Sequence, residues 1–186
     1  MKIACANKIK KIIHWISKSN IFLYSISICI VAFCARLPVH VLKYIFNIPD
    51  IQFRERIADE NTKITIDLLL NALILAPILE TLVFQTFFYT IFKKIKINKW
   101  IIVLVSGISF GAFHNFSIFY MIDTALVGVI FMYFYILRAE YNKKPIASTI
   151  IAHATINLFV LIAICISKIF LILVKKRLSV SEQPFY

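Results

Sequence analysis

The 186-residue chain holds only 3 glycines, 5 prolines, 4 cysteines and 9 acidic residues. Each scarcity excludes something. A loop-rich soluble fold needs glycine in its turns, whereas Gly107, Gly111 and Gly128 all lie inside apolar runs, where small residues let membrane helices pack closely. Cys29, Cys34 and Cys165 also fall in apolar runs and Cys5 lies near the amino terminus. No paired spacing joins them, which excludes a disulfide framework and a zinc knuckle and leaves buried small hydrophobes. Charged residues are 16% of the chain against 61% hydrophobic, and the mean hydropathy is +0.85. A soluble domain of this length has no surface to spare for so much apolar side chain. The zinc signature HExxH is missing, and the chain ends in QPFY rather than a prenylation box. No small-x-small cleavage pattern closes the first apolar run cleanly, so the basic stretch followed by Ile21 to Ala35 reads as a retained signal anchor.

Apolar runs able to cross a hydrocarbon core of about 30 Å cover Ile21 to Ala35 with its flanks, Ile66 to Phe92, Trp100 to Tyr120, Met121 to Leu137 and Ile146 to Val174. They predict an all-α, polytopic bundle of about five spanning helices, with residues 1–186 forming a single integral membrane domain. Arg36 to Thr65 reads as an extramembrane connection carrying Pro38, Pro49 and the acidic cluster Asp50, Glu55, Asp59 and Glu60. Its VHVLKYIF stretch is expected to lie flat at the interface.

A formal charge of +12 invites a nucleic-acid reading, but the lysines sit at the ends of apolar runs and no RNA or DNA motif accompanies them. The partner they fit is the lipid bilayer. Lys8, Lys10 and Lys11 precede the first run, Lys93 to Lys99 follow the second, and Lys143 and Lys144 follow the fourth, while the turn from Asn115 to Ile122 has no basic residue. This alternation predicts a multi-pass membrane protein with a cytoplasmic amino terminus. Five spans leave Lys175, Lys176 and Arg177 outside. The last run therefore breaks near Ser167 and Lys168, or the count is off by one.

Against this background four polar residues stand out: Glu80, His114, His153 and Asn157. An ionisable group at membrane depth costs roughly 2.5 to 3.5 kcal/mol on insertion scales and needs a partner or a function. At about 1.5 Å per residue, Glu80 lies roughly 18 Å from Phe92, His114 roughly 21 Å from Trp100, and His153 and Asn157 roughly 12 and 18 Å from Pro145. These depths overlap near the midplane. His153 and Asn157 share a helix face, as do Phe110 and His114, and Gly107 and Gly111 let a neighbouring helix approach His114. Pro77 breaks the hydrogen-bond ladder three residues before Glu80 and makes room for water beside it. A carboxylate, two imidazoles and a carboxamide together offer a general base, a proton relay and an oxyanion donor. Glu80, His114 and His153 could equally hold a divalent metal such as zinc with an open position.

At these residues the chain resembles the CPBP intramembrane proteases, which include type II CAAX prenyl endopeptidases and bacteriocin-processing or bacteriocin-immunity proteins. Their pattern is EExxxR, then FxxxH, then HxxxN, on separate membrane helices. Phe110 to His114 meets the second motif and His153 to Asn157 the third. In the first, Glu80 matches the leading glutamate, while Thr81 replaces the second glutamate and Gln85 the arginine. The resemblance covers about residues 66–160. It implies a metallo- or glutamate-type endopeptidase acting on a peptide or membrane-protein substrate, with Glu80 as water activator, His114 and His153 as catalytic or ligand imidazoles and Asn157 as oxyanion donor. Gln85 cannot carry the arginine's fixed charge, and Thr81 removes a carboxylate that would help hold a metal. Two rivals remain: a non-catalytic immunity or scaffold protein, and a small transporter, which would show an internal repeat that this chain lacks. Asp123 and Arg138 read as interfacial residues.

Overall fold

The computed structural model of the protein describes residues 2–49 and 64–181. Among the described residues six helices follow in order: α1 (Lys2–Lys18), α2 (Ile21–Ile45), α3 (Ile66–Lys94), α4 (Lys99–Phe113), α5 (Ile118–Glu140) and α6 (Pro145–Ser181). Four are long and apolar enough to cross a membrane: α2, α3, α5 and the Pro145–Val174 part of α6. Helix α4 is apolar but has 15 residues, which is about 22 Å of helix against a core of about 30 Å. The protein is thus an all-α, polytopic integral membrane protein.

The sequence starts its helices with polar caps and ends them without glycine. Asn20, Thr65, Asn98 and Ser117 each accept a hydrogen bond from a backbone N–H of the following turn, at 2.9, 3.3, 2.9 and 3.1 Å. At the other ends, Asn47, Lys96 and Asn142 take left-handed backbone angles with φ of 49°, 57° and 53°. The next N–H in each case reaches back five residues, from Ile48 to Lys43, Ile97 to Phe92 and Lys143 to Arg138, closing the terminus as a Schellman turn. Glycine is reserved for helix contact instead. A Cβ on Gly107 would stand 2.7 Å from Val129 N, and one on Gly111 2.9 Å from Ala125 Cα, so α4 and α5 meet at backbone distance.

Several boundaries differ from the sequence reading. Helix α2 runs on through Pro38 to Ile45, so VHVLKYIF forms its last turns rather than a separate interfacial piece. Arg36, which marks a polar boundary in the sequence, is instead neutralised by Asp123. The acidic cluster Asp50, Glu55, Asp59 and Glu60 lies outside the described residues. Helix α4 ends at Phe113 and α5 begins at Ile118, not at Met121, because His114 and Ser117 make a turn with neither glycine nor proline in it. Helix α6 continues unbroken past Ser167 and Lys168. Helix α3 absorbs Pro77 by widening: Asn71–Leu75 and Thr81–Phe87 are π-helical. Of the cysteines, Cys29 is buried, Cys165 half-buried and Cys34 exposed.

Packing centres on α5. One apolar cluster joins Tyr24, Ile28 and Ala32 of α2 to Phe131 and Phe134 of α5 and Ile156 of α6, and a second joins Ile102 and Val103 of α4 to Met132, Tyr135 and Ile136. Arg138, expected at an interface, is buried at 3% exposure. Its guanidinium donates to the carbonyls of Ser17 and Ser19 at the end of α1, at 3.2 and 2.7 Å, and to Ser148 Oγ of α6 at 2.6 Å. It also lies 4.5 Å from the centre of the Tyr24 ring. One cation therefore satisfies the open end of α1 and ties four helices together.

Candidate active site

Glu80 projects from α3 between two imidazoles. Its Oε2 stands 3.6 Å from His153 Nε2 and 3.8 Å from His114 Nε2. The groups open onto a cavity of about 950 Å³ whose wall is largely apolar and draws on α2 to α6. Phe110 is the partition behind them, with its ring centre 4.6 Å from that of His114, 5.8 Å from His153 and 5.4 Å from Phe84. Phe131 backs His153 at 5.0 Å, and Tyr120 meets His114 at 6.0 Å.

The position of His114 follows from where α4 stops. The residue is the C-cap, its own N–H bonds to Gly111, and its ring folds back so that Nδ1 lies 2.8 Å from the Phe110 carbonyl. A carbonyl only accepts, so Nδ1 carries the proton and Nε2 is the nitrogen presented to Glu80. This gives the Phe110 to His114 spacing a physical basis. The carbonyl four residues back is one of those a helix end leaves open, and the ring that closes it is thereby aimed at the carboxylate. His153 presents Nε2 to the same oxygen, while its buried Nδ1 has no hydrogen-bond partner in the protein.

The fourth residue is engaged differently. Asn157 lines the cavity, but its Nδ2 donates to the backbone carbonyl of Ala72 at 2.7 Å. Thr81 and Gln85, at the two departures from the family pattern, are fully buried, and neither the Thr81 hydroxyl nor the Gln85 amide finds a partner in the protein. Sequence reasoning missed a further group. Asp123, read as interfacial, is fully buried, and Arg36 binds it with Nε on Oδ1 at 2.7 Å and Nη2 on Oδ2, with His40 Nε2 3.8 Å away. Both Arg36 and His40 line the cavity. Asp123 inside the apolar run Met121 to Leu137 was the available signal, since a lone charge there needs a partner.

Residues 62–159, more than half of the chain, match the family model described as Type II CAAX prenyl endopeptidase Rce1-like. That stretch contains Glu80, His114, His153 and Asn157, and Asp123 with them. No curated protein and no solved structure matches the chain. The order of the three motifs along separate helices, the all-helical membrane architecture and the family match agree, and the chain belongs to the Type II CAAX prenyl endopeptidase Rce1-like family.

Proposed function

We propose that this protein is an intramembrane endopeptidase in which Glu80 activates a water molecule for attack on a peptide carbonyl. The observation that carries the reading is the carboxylate set between two imidazoles at 3.6 and 3.8 Å inside a largely apolar cavity. These separations are too long for direct hydrogen bonds and suit one bridging water. With Nδ1 protonated, neutral His114 offers a lone pair at Nε2, and the Glu80 carboxylate also accepts. A water that donates to both is held in line, and its proton passes to Glu80 as its oxygen bonds to the carbonyl carbon. The second amide hydrogen of Asn157 and the His153 ring are the donors for the developing oxyanion. Collapse of the tetrahedral species breaks the C–N bond, and Glu80 returns the proton to the leaving nitrogen.

Zinc held by Glu80, His114 and His153 is the alternative implied by the resemblance. Glu80, His114 and His153 do meet, but among the described residues no three His, Cys, Asp or Glu side chains are placed so that they could hold a metal ion, and no step runs through it. The substrate in this reading is a peptide or membrane-protein segment, and the setting is a bacterial cytoplasmic membrane with α1 on the cytoplasmic side, supported by the lysines at the ends of α1, α3 and α5. A non-catalytic immunity or scaffold role is the second reading, favoured by Thr81 and Gln85, which leave no fixed charge beside Glu80. Hydrolysis of a fluorogenic peptide library by the purified protein separates the two. Glu80→Gln, inserted at the wild-type level, should lose about 10²- to 10⁴-fold in rate, and a chelator should leave the wild-type rate unchanged. Equal turnover in Glu80→Gln removes the mechanism.

A further inference from the structure

The bond from Asn157 to Ala72 has a cause in the sequence of α3. In the π-helical turn Asn71–Leu75, the Ala76 N–H bonds to the Asn71 carbonyl, five residues back. In that register the next donor, residue 77, would serve the Ala72 carbonyl. Residue 77 is proline and has no N–H. The ordinary α-helical donor for Ala72 is Ala76, whose N–H is already spent on Asn71. The Ala72 carbonyl is thus orphaned twice over by its own helix, in a membrane-spanning segment where a backbone group needs a partner from within the protein or its cavity. The donor that reaches it is the carboxamide of Asn157, at 2.7 Å, from a helix 85 residues further along the chain.

We infer that Asn157 is a positioning residue that replaces the N–H removed by Pro77 and so locks the axial register of α6 against α3. One turn of α6 separates Asn157 from His153, and one turn of α3 separates Pro77 from Glu80. The lock therefore adjoins the Glu80–His153 contact on both helices. A slip of a single residue, about 1.5 Å along the axis, would move the carboxylate off the 3.6 Å separation it keeps from His153. The catalytic part of this inference rests on the proposed endopeptidase reading; the lock itself does not.

The test is a double-mutant cycle of Asn157→Ala and Pro77→Ala in the full-length protein, purified in detergent or nanodiscs, read by thermal midpoint and by peptide hydrolysis. Pro77→Ala restores a donor whether the turn stays π-helical or relaxes to an α-helix, since the carbonyl then receives residue 77 or residue 76. Asn157→Ala should therefore lower the midpoint in the wild-type background by at least twice what it does in the Pro77→Ala background. The rate lost with Asn157→Ala should be at least partly regained in the double variant. Asn157→Leu, which removes the donor but keeps the bulk, takes the place of Asn157→Ala if that variant fails to accumulate. Equal loss of midpoint in both backgrounds overturns the lock. Coupled midpoints with an unrescued rate overturn the register effect and leave Asn157 with its proposed oxyanion donation as its sole part in the rate. Coupled midpoints in a protein with no hydrolytic activity uphold the lock and overturn the endopeptidase reading alone.

Discussion

Arg36 and Asp123 make the largest stability prediction in the molecule. Asp123 is fully buried and the Arg36 side chain is 17% exposed, so the pair is held away from water on one side and meets the cavity on the other. Removing one partner of a buried ion pair typically costs about 3–5 kcal/mol, because an uncompensated charge is left behind. The two removals are not equivalent here. Asp123→Asn strands a guanidinium that already lines the cavity and can turn its donors into it, so its cost belongs at the lower end. Arg36→Met strands a carboxylate with no exposure, and its cost belongs at the upper end. At about 2–4 °C per kcal/mol for a chain of this size, the span is about 6–20 °C in thermal midpoint. The assay is unfolding in detergent followed by loss of the monodisperse species. Arg36→Met should lose more than Asp123→Asn, and Arg36→Met with Asp123→Asn should recover at least half of the Arg36→Met loss, since a buried amide costs less than a buried charge. Shifts below about 3 °C for both single variants, or strict additivity in the double variant, would refute the reasoning.

Three further outcomes follow from contacts already described. Gly111→Val should lower the midpoint and, by pushing α4 away from α5, cut any peptidase rate more than stability alone explains, because its Cβ meets the backbone of Met121 and Ala125 rather than a movable side chain. Arg138→Leu should release α1, read as new protease sensitivity between Lys18 and Ile21, since it removes the donors to Ser17 and Ser19 and to Ser148 at once. Thr81→Glu with Gln85→Arg should raise a weak peptidase rate by restoring the paired charges of the family pattern, while each single substitution should insert poorly; a double variant no faster than wild type marks Thr81 and Gln85 as a working alternative.

The membrane-spanning character was legible in the chain because it depends on local composition, and so was the meeting of Glu80 with His114 and His153, because helical rise and facing bring them together. What failed were the judgements on Arg36, Asp123 and Arg138, each of which needed the residue's distant partner. Arg36 looked like the end of a span because charge is costly in lipid, and its neutralisation by Asp123, 87 positions away, leaves no trace in local hydropathy. Arg138 looked interfacial for the same reason, although it answers carbonyls on α1. The turn between α4 and α5 was read over Asn115 to Ile122 but is confined to His114 to Ser117, since these two residues do the work usually signalled by glycine or proline. Pro77 was readable as a defect in α3, but the widening that absorbs it and the amide that completes it were not.

Hydrogen bonding sorts the polar groups of this bundle into two kinds. Arg138 is taken up by carbonyls and a hydroxyl, Arg36 by Asp123, His114 Nδ1 by Phe110 and one amide hydrogen of Asn157 by Ala72. Each of these repairs a defect that the fold itself creates: an open helix end, a buried charge or a carbonyl that lost its donor to proline. Glu80 Oε2 and the two Nε2 atoms are different, because the repairs aim them at one another across 3.6 and 3.8 Å without bringing them to hydrogen-bonding distance. A bundle that needed these three groups only for packing would gain by closing that gap or by replacing the groups with apolar ones, as buried ion pairs generally permit. Left at these distances beside a cavity of about 950 Å³, the three groups keep hydrogen-bonding capacity for a molecule that enters from the cavity, and that spare capacity is the strongest argument for the proposed chemistry over assembly.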